Sequence, residues 1–177
     1  CFTNTLTIKL SFFFGFLIVL YPITKRFISA PQFILGITFG SGSLIAYSLE
    51  TSVFSTSILT LYIGIVAWIV SFDTYYALQD KNDDLEIGIH STAILWAENA
   101  IIYSKILHLA FYASLLIIAI INSFSYLFFF IFLGLLYLFL HQNKLLKKSD
   151  YLGAFKINNL IGIISVSGFA LEIVFLN

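Results

Sequence analysis

Six long apolar stretches dominate this chain and restrict the folds that it can adopt. A helix that crosses a lipid bilayer needs about 20 mostly apolar residues. The 177 residues are 60% hydrophobic and only 10% charged, with a mean hydropathy of +0.99, whereas a soluble domain needs far more polar surface. The sequence therefore predicts an all-α, multi-spanning transmembrane helical bundle, a single membrane domain over residues 1–177. Its six expected spans lie at about 10–23, 32–49, 53–72, 101–121, 124–140 and 157–175.

Small and polar residues divide and space these stretches. Asn122 and Ser123 interrupt what would otherwise be one apolar run over residues 101–140, so we expect two spans joined by a tight turn. Gly36 and Gly40 form a GxxxG pattern in the second stretch, which is typical of helices that pack closely in membranes. A β-barrel would show alternating strands of about ten residues instead, and the chain lacks that pattern.

The basic residues collect on one side of the predicted membrane. The turns around Glu50 and Asn122 contain no Lys or Arg. Because basic residues favour the cytoplasmic side, we assign the other connections to the cytoplasm or the mitochondrial matrix, with both chain ends on the opposite side. The formal net charge is zero, so no nucleic-acid partner is expected. Eight of the nine basic residues lie in or beside those connections: Lys25, Arg26, Lys81, Lys105, Lys144, Lys147, Lys148 and Lys156.

An acidic segment over residues 73–98 carries the chemistry that the sequence offers. It holds six of the nine acids against one base, a local charge of −5. The apolar pattern continues past Asp73, so we expect the third span to run helically through the cluster. Asp80 and Asp84 would then share one helix face, and two such carboxylates suit Mg²⁺, which fills its shell with water and phosphate oxygens. Lys25 and Arg26 lie on the same side and could receive phosphate or carboxylate.

Two other interpretations of the acidic segment remain open at this point. The first is a solvated acidic loop that follows a membrane span. The second is a cation transporter, which would require acids buried in the middle of a span, whereas these acids lie past the end of one. The three histidines lack a metal-ligand spacing, and we expect them to serve packing or an interface: His90, His108 and His141.

Two sequence blocks carry a resemblance to a known family. The block DTYYALQDKNDDLEIGIHSTA at residues 73–93 closely resembles the second aspartate motif of the UbiA-type membrane prenyltransferases. It is most similar to the branch that acts on 4-hydroxybenzoate. An earlier block has YPxxKR at residues 21–26, then Pro31-Gln32 and Leu35-Gly36. The blocks occur in order in different spans, and the resemblance covers essentially the whole chain.

The resemblance implies a fold and a set of site residues. The fold would have about nine spans around a cavity open to lipid, of which six are present here. Two aspartate motifs would hold Mg²⁺, which binds the diphosphate of a polyprenyl donor. By position, the metal carboxylates would be Asp80 and Asp84, the substrate-binding residues would be Tyr21, Lys25 and Arg26, and the catalytic residues at the start of the motif would be Asp73 and Tyr76.

The same resemblance implies an activity. This is the Mg²⁺-dependent transfer of a polyprenyl group from its diphosphate to 4-hydroxybenzoate, a step of ubiquinone biosynthesis, in the bacterial or mitochondrial inner membrane. One alternative is another aromatic acceptor. Another is a non-catalytic membrane remnant, because residues 1–49 contain no acid and the first aspartate motif is absent. We therefore expect the chain to be the C-terminal part of such an enzyme. His90 also stands where this branch usually has Lys.

Overall fold

A computed structural model describes residues 3–176, without the side chains of residues 175 and 176, and this part of the chain is helical with no strand. Its α-helices are α1 (Thr5–Thr24), α2 (Pro31–Glu50), α3 (Thr56–Gln79), α4 (Lys81–Ile87), α5 (Thr92–Leu95), α6 (Ala100–Ile121), α7 (Tyr126–Lys147), α8 (Tyr151–Lys156) and α9 (Asn158–Leu171). A short 3₁₀ turn at Ala97–Asn99 precedes α6, and a π-helical turn at Glu172–Leu176 follows α9.

Within residues 3–176, six helical segments are long and apolar enough to cross a membrane, which confirms the predicted multi-pass, all-α class. The first and last segments begin earlier than predicted, at Thr5 and Tyr151. In each case a polar side chain caps the true start of the helix. The side chain of Asn4 accepts a hydrogen bond from Thr7 N at 2.9 Å, and that of Asp150 accepts one from Gly153 N at 2.8 Å.

The third span does not continue through the acidic cluster, so that prediction was wrong. The helix α3 ends at Gln79, Asp80 has φ −93° and ψ 3°, and α4 begins at Lys81. The break places Asp83 and Asp84 in the first turn of a new helix, where the helix dipole favours negative charge, rather than near the end of a long one, where it does not. The one-turn spacing survives, because Asp84 N donates to Asp80 O at 2.9 Å.

The chain divides into two compact units, Cys1–Ile118 and Ala119–Asn177. In the first unit α2 packs closely on α3 at the predicted GxxxG pattern. A Cβ atom on Gly36 would lie 2.9 Å from Val66 O, and one on Gly40 would lie 3.3 Å from the ring of Tyr62. The Tyr62 hydroxyl also donates to Ile37 O at 3.2 Å. The glycines therefore serve helix packing, as predicted.

The second unit contains the predicted turn and the last two spans. The turn falls at residues 122 and 123, with φ 53° at Ser123. The buried carboxylate of Glu172 accepts hydrogen bonds from Ser125 N at 2.9 Å and Ser125 Oγ at 2.5 Å, at the start of α7. The rings of Phe128 and Phe169 pack edge to face, with centroids 5.5 Å apart. These contacts join α7 to the end of the last span.

Candidate active site

The end of α1 supplies an aromatic ring and a cation. Tyr21 lies in the last turn of the helix, and Lys25 is the first residue after it. The Lys25 Nζ atom lies 5.8 Å from the centroid of the Tyr21 ring, within the range of a cation–π interaction. The carbonyl of Lys25 accepts a hydrogen bond from His90 N at 3.1 Å. The segment that follows the acidic helix is therefore tied to the end of α1.

Asp73 lies near the end of α3 and faces this pair. Its carboxylate interacts electrostatically with both Lys25 and Tyr21, and it shares a side-chain hydrogen bond with Gln32. Gln32 is buried in the first turn of α2, directly after Pro31. Its Oε1 atom accepts from Thr92 N at 2.9 Å. Two helix ends, of α1 and α3, and two helix starts, of α2 and α5, thus meet around a single carboxylate and a single amide.

Asp84, on α4, lies within the field of several charges. Partial burial raises the pKa of its carboxyl, and the neighbouring carboxylates of Asp80 and Asp83 raise that pKa further. The Lys25 ammonium acts in the opposite direction. A carboxylate that is held near like charges gains from a bound cation. Lys25 therefore interacts with acids from two helices, Asp73 on α3 and Asp84 on α4.

Five of the seven predicted site residues belong to this connected group, and their roles stay predictions. The remaining two are exposed at its edge. Tyr76 lies about one turn beyond Asp73 with 43% of its surface accessible, and Arg26 follows Lys25 with an exposed side chain. The connected residues are Tyr21, Lys25, Asp73, Asp80 and Asp84.

Gln32 and Thr92 belong to the same group, although the sequence analysis assigned them no role. Both are buried, with 3% and 0% of their surfaces exposed. The Thr92 hydroxyl also lies 2.6 Å from that of Thr74. Both residues lie inside the two motif blocks, and this position was the signal that could have identified them. A buried polar residue in the first turn of a membrane span requires a partner, and this rule would have marked Gln32.

The acidic pair fits part of a Mg²⁺ site. Over residues 3–176, no group of three or more His, Cys, Asp and Glu side chains is placed to hold a metal ion. Asp80 and Asp84 nevertheless lie one helical turn apart, and the Asp80 carboxylate raises the pKa of Asp84. Mg²⁺ commonly takes one or two protein carboxylates and completes its octahedron with water and substrate phosphate. The two aspartates match that donor set.

Comparison with known proteins places the chain in a family. A sequence model described as the UbiA prenyltransferase family matches residues 1–160. Two similar proteins are named 4-hydroxybenzoate octaprenyltransferase. That of Francisella tularensis subsp. mediasiatica is 36% identical over 169 residues, 92% of this chain and 58% of that protein. That of Saccharophagus degradans is 43% identical over 108 residues, 61% of this chain and 36% of that protein.

A solved structure shows the same fold. The apo structure of a UbiA homologue from Aeropyrum pernix K1 aligns with a TM-score of 0.79 at 22% identity, covering 97% of this chain and 66% of that one. The chain spans about 58% of the length of the Francisella relative. The match over residues 1–160, the two motif blocks and the helical fold agree, and the chain belongs to the UbiA prenyltransferase family.

Proposed function

We propose that this chain forms part of an aromatic prenyltransferase that transfers a polyprenyl group from polyprenyl diphosphate to 4-hydroxybenzoate. The observation that carries the proposal is the position of Lys25, which interacts with Asp73 and Asp84 beside the ring of Tyr21. The names of the Francisella and Saccharophagus relatives support the acceptor. The product is a precursor of ubiquinone, and we place the reaction at the cytoplasmic face of a bacterial inner membrane.

The proposed reaction breaks one bond and forms one. The bond between the first prenyl carbon and the diphosphate oxygen breaks, and the diphosphate keeps the electron pair. A ring carbon ortho to the acceptor hydroxyl then bonds to the prenyl carbon, and the released diphosphate takes up the proton that this ring carbon loses. Negative charge therefore concentrates on the leaving group, where preorganised positive charge lowers the barrier. The Lys25 ammonium supplies such a charge, and Asp73 holds it in place.

The other residues divide between the two substrates. Asp80 and Asp84 would hold Mg²⁺, and the bound ion would supply positive charge to the diphosphate leaving group. The exposed guanidinium of Arg26 is suited to the carboxylate of the acceptor, because its planar donors match a carboxylate. Tyr76 offers a phenol side chain that is partly accessible, one helical turn beyond Asp73. The polyprenyl tail would lie against the apolar helices and the bilayer, where the scarcity of water protects the allylic cation.

The test is a transfer assay on membranes that contain the product of the complete reading frame. These are incubated with a polyprenyl diphosphate, Mg²⁺ and labelled 4-hydroxybenzoate, and the lipid extract is examined for the prenylated benzoate. We expect product with Mg²⁺ and none with excess EDTA. Absence of product in both cases would contradict the proposed activity.

The choice of acceptor is tested separately. Homogentisate and a dihydroxynaphthoate are offered in place of 4-hydroxybenzoate in the same assay. All three acceptors carry a carboxylate, so the choice among them rests on the relatives named for 4-hydroxybenzoate, and we expect 4-hydroxybenzoate to be used at the highest kcat/KM. A higher kcat/KM for one of the other acceptors would contradict 4-hydroxybenzoate as the acceptor, but it would still support prenyl transfer to an aromatic ring.

A non-catalytic membrane remnant of such an enzyme is the second candidate. The DNA sequence upstream of the codon for Cys1 distinguishes the two candidates. An in-frame segment that encodes an Asn-Asp-x-x-Asp cluster would support the enzyme. A stop codon immediately upstream would support the remnant.

A further inference from the structure

Gln32 occupies a position where three helices meet. Its side chain is 3% exposed and lies in the first turn of α2, between α3 and the start of α5. The Oε1 atom accepts a hydrogen bond from Thr92 N at 2.9 Å, and the side chain also bonds to the carboxylate of Asp73. One neutral amide therefore connects a site carboxylate to the backbone of a segment 60 residues later in the chain.

The chemistry of the two partners fixes which way the amide points. A backbone N–H can only donate, so Oε1 must face Thr92. An ionised carboxylate can only accept, so the Nε2 group of Gln32 must donate to Asp73. Glutamine satisfies both partners at once. Glutamate would still accept the hydrogen bond from Thr92 N, but its negative charge would repel the carboxylate of Asp73. An apolar side chain would satisfy neither partner.

A second contact fixes the Thr92 end of this connection. The Thr74 hydroxyl donates to Val70 O at 2.7 Å, so its proton is already used. The Thr92 hydroxyl, 2.6 Å away, must therefore donate to Thr74. Thr92 is thus attached to α3 through its hydroxyl and to Gln32 through its N–H. The N–H group of Thr92, which donates to Gln32 Oε1, is therefore held in a fixed position.

We propose that Gln32 is a positioning residue that orients the carboxylate of Asp73 towards Lys25 and Tyr21 and ties it to the start of α5. Its effect on prenyl transfer rests on the proposed function, whereas the coupling between Gln32 and Asp73 does not. Besides Gln32, the Asp73 carboxylate interacts electrostatically with Lys25 and Tyr21. Gln32 contributes the neutral donor that lets these groups share one carboxylate.

A double-mutant cycle at pH 7.5 tests the coupling without any assay of activity. The variants are Q32E, D73N and their combination, in the product of the complete reading frame in lipid nanodiscs. In the native background, the carboxylate of Q32E lies next to the carboxylate of Asp73 and the two repel each other. We therefore expect the midpoint of thermal unfolding to fall by about 5 °C. In the D73N background the new amide can donate to the carboxylate of Q32E, so the fall should largely disappear.

Gln142 provides a matched control. It is 0% exposed, and its Nε2 atom donates to Ala154 O at 2.8 Å in the second unit. The variant Q142E therefore buries a carboxylate of the same size in place of an amide. Its cost in unfolding temperature should be the same with and without D73N. An equal cost of Q32E in the two backgrounds would overturn the proposal.

A milder variant covers the case in which Q32E fails to fold. Q32M removes the acceptor for Thr92 N without adding charge, and hydrogen exchange of a peptide that spans residues 88–96 should become faster than in the native protein. Q142M should leave exchange of that peptide unchanged. Unaltered exchange in a folded Q32M protein would contradict the link to Thr92.

Activity provides the last measurement. Q32E should lower kcat for transfer by about 100-fold, since a misplacement near 1 Å costs that much, with a smaller change in KM. Adding D73N should restore the unfolding temperature but not kcat, because the charge on Asp73 is then lost. If the native protein shows no transfer, the proposed function fails, and the stability cycle still decides the role of Gln32.

Discussion

Asp84 is the residue at which the competing charges of the site are most evident. Burial and the carboxylates of Asp80 and Asp83 raise its pKa, and only Lys25 opposes them. An ionised Asp84 therefore costs the metal-free protein stability at neutral pH. Functional sites commonly keep such unfavourable charges because ligand binding requires them. This cost and the proposed metal role give two separate predictions.

Removing the charge of Asp84 should stabilise the metal-free protein. A carboxyl whose folded pKa is raised stabilises the fold below its unfolded pKa, near 3.9, and that contribution is lost as pH rises through the folded pKa. We expect Asp84→Asn to raise the midpoint of thermal unfolding at pH 7.5 in EDTA, with a smaller gain towards pH 4. Glu86→Gln, an exposed carboxylate on the same helix, should change little. A lower midpoint for Asp84→Asn at pH 7.5 would contradict the balance of charges described.

The same residue should be required for transfer. We expect Asp80→Ala or Asp84→Ala to lower kcat by roughly 100- to 1,000-fold, because each removes a carboxylate that would hold Mg²⁺ at the leaving diphosphate. Membrane insertion should be unaffected. The measurement is the transfer assay with 4-hydroxybenzoate, and Glu86→Ala is the control that should retain activity. Activity close to normal in Asp84→Ala would remove it from the proposed metal site.

The sequence predicted the charged members of the site more readily than the neutral ones. Lys25 and Asp84 were identified because basic and acidic clusters lay on the same predicted membrane side. Gln32 was missed because a neutral amide leaves no charge pattern, and its partner Thr92 lies 60 residues away. Pairing over such a distance depends on the tertiary fold, which local spacing does not report.

At the scale of elements, the ends of helices were harder to predict than their existence. Apolar length identified every span, but the apolar pattern from Asp73 to Leu78 gave no sign that α3 ends at Gln79. The end reflects the charge density of the next seven residues and the favourable start of a new helix for Asp83 and Asp84. Such an effect depends on total charge rather than on periodicity.

Two glycines in α2 allow the packing of this helix to be tested. A Cβ atom on Gly36 would lie 2.9 Å from Val66 O, whereas one on Gly42 would meet nothing within 4 Å. Gly36→Ala should therefore force α3 away and cost about 1–3 kcal/mol. Gly42→Ala should gain about 0.5–1 kcal/mol, because alanine loses less entropy in a helix.

Unfolding by denaturant in a defined detergent measures both variants. Both variants replace glycine by alanine in the same helix, and they differ only in the atoms that surround the new Cβ atom. If the two alanine variants had equal stability, close packing of α2 on α3 at Gly36 would not be the reason for that glycine.

At the scale of the whole molecule, the distribution of basic residues predicts the orientation in the membrane. We expect residue 82 to face the cytoplasm and residue 123 the opposite side. In a Cys1→Ser background, Asn82→Cys and Ser123→Cys are exposed to a membrane-impermeant maleimide in sealed right-side-out vesicles. Only Ser123→Cys should react before the vesicles are opened. Lys148→Cys should behave like Asn82→Cys, and the reverse pattern would invert the proposed orientation.

Length and hydropathy were sufficient to predict six spans, because a bilayer requires long apolar helices whatever their partners. The division into compact units at residue 118 was not predictable in this way. It depends on which helices contact each other, and those contacts depend on side-chain shape at positions such as Gly36 rather than on average hydropathy.

The carboxylate at the start of α7 has a consequence for biosynthesis. Ser125 is synthesised 47 residues before Glu172, the side chain that accepts its N–H and its hydroxyl proton. The start of the fifth span therefore gains these two hydrogen bonds only after the sixth span has been synthesised. Until then, water at the half-buried turn has to satisfy the N–H and the hydroxyl of Ser125.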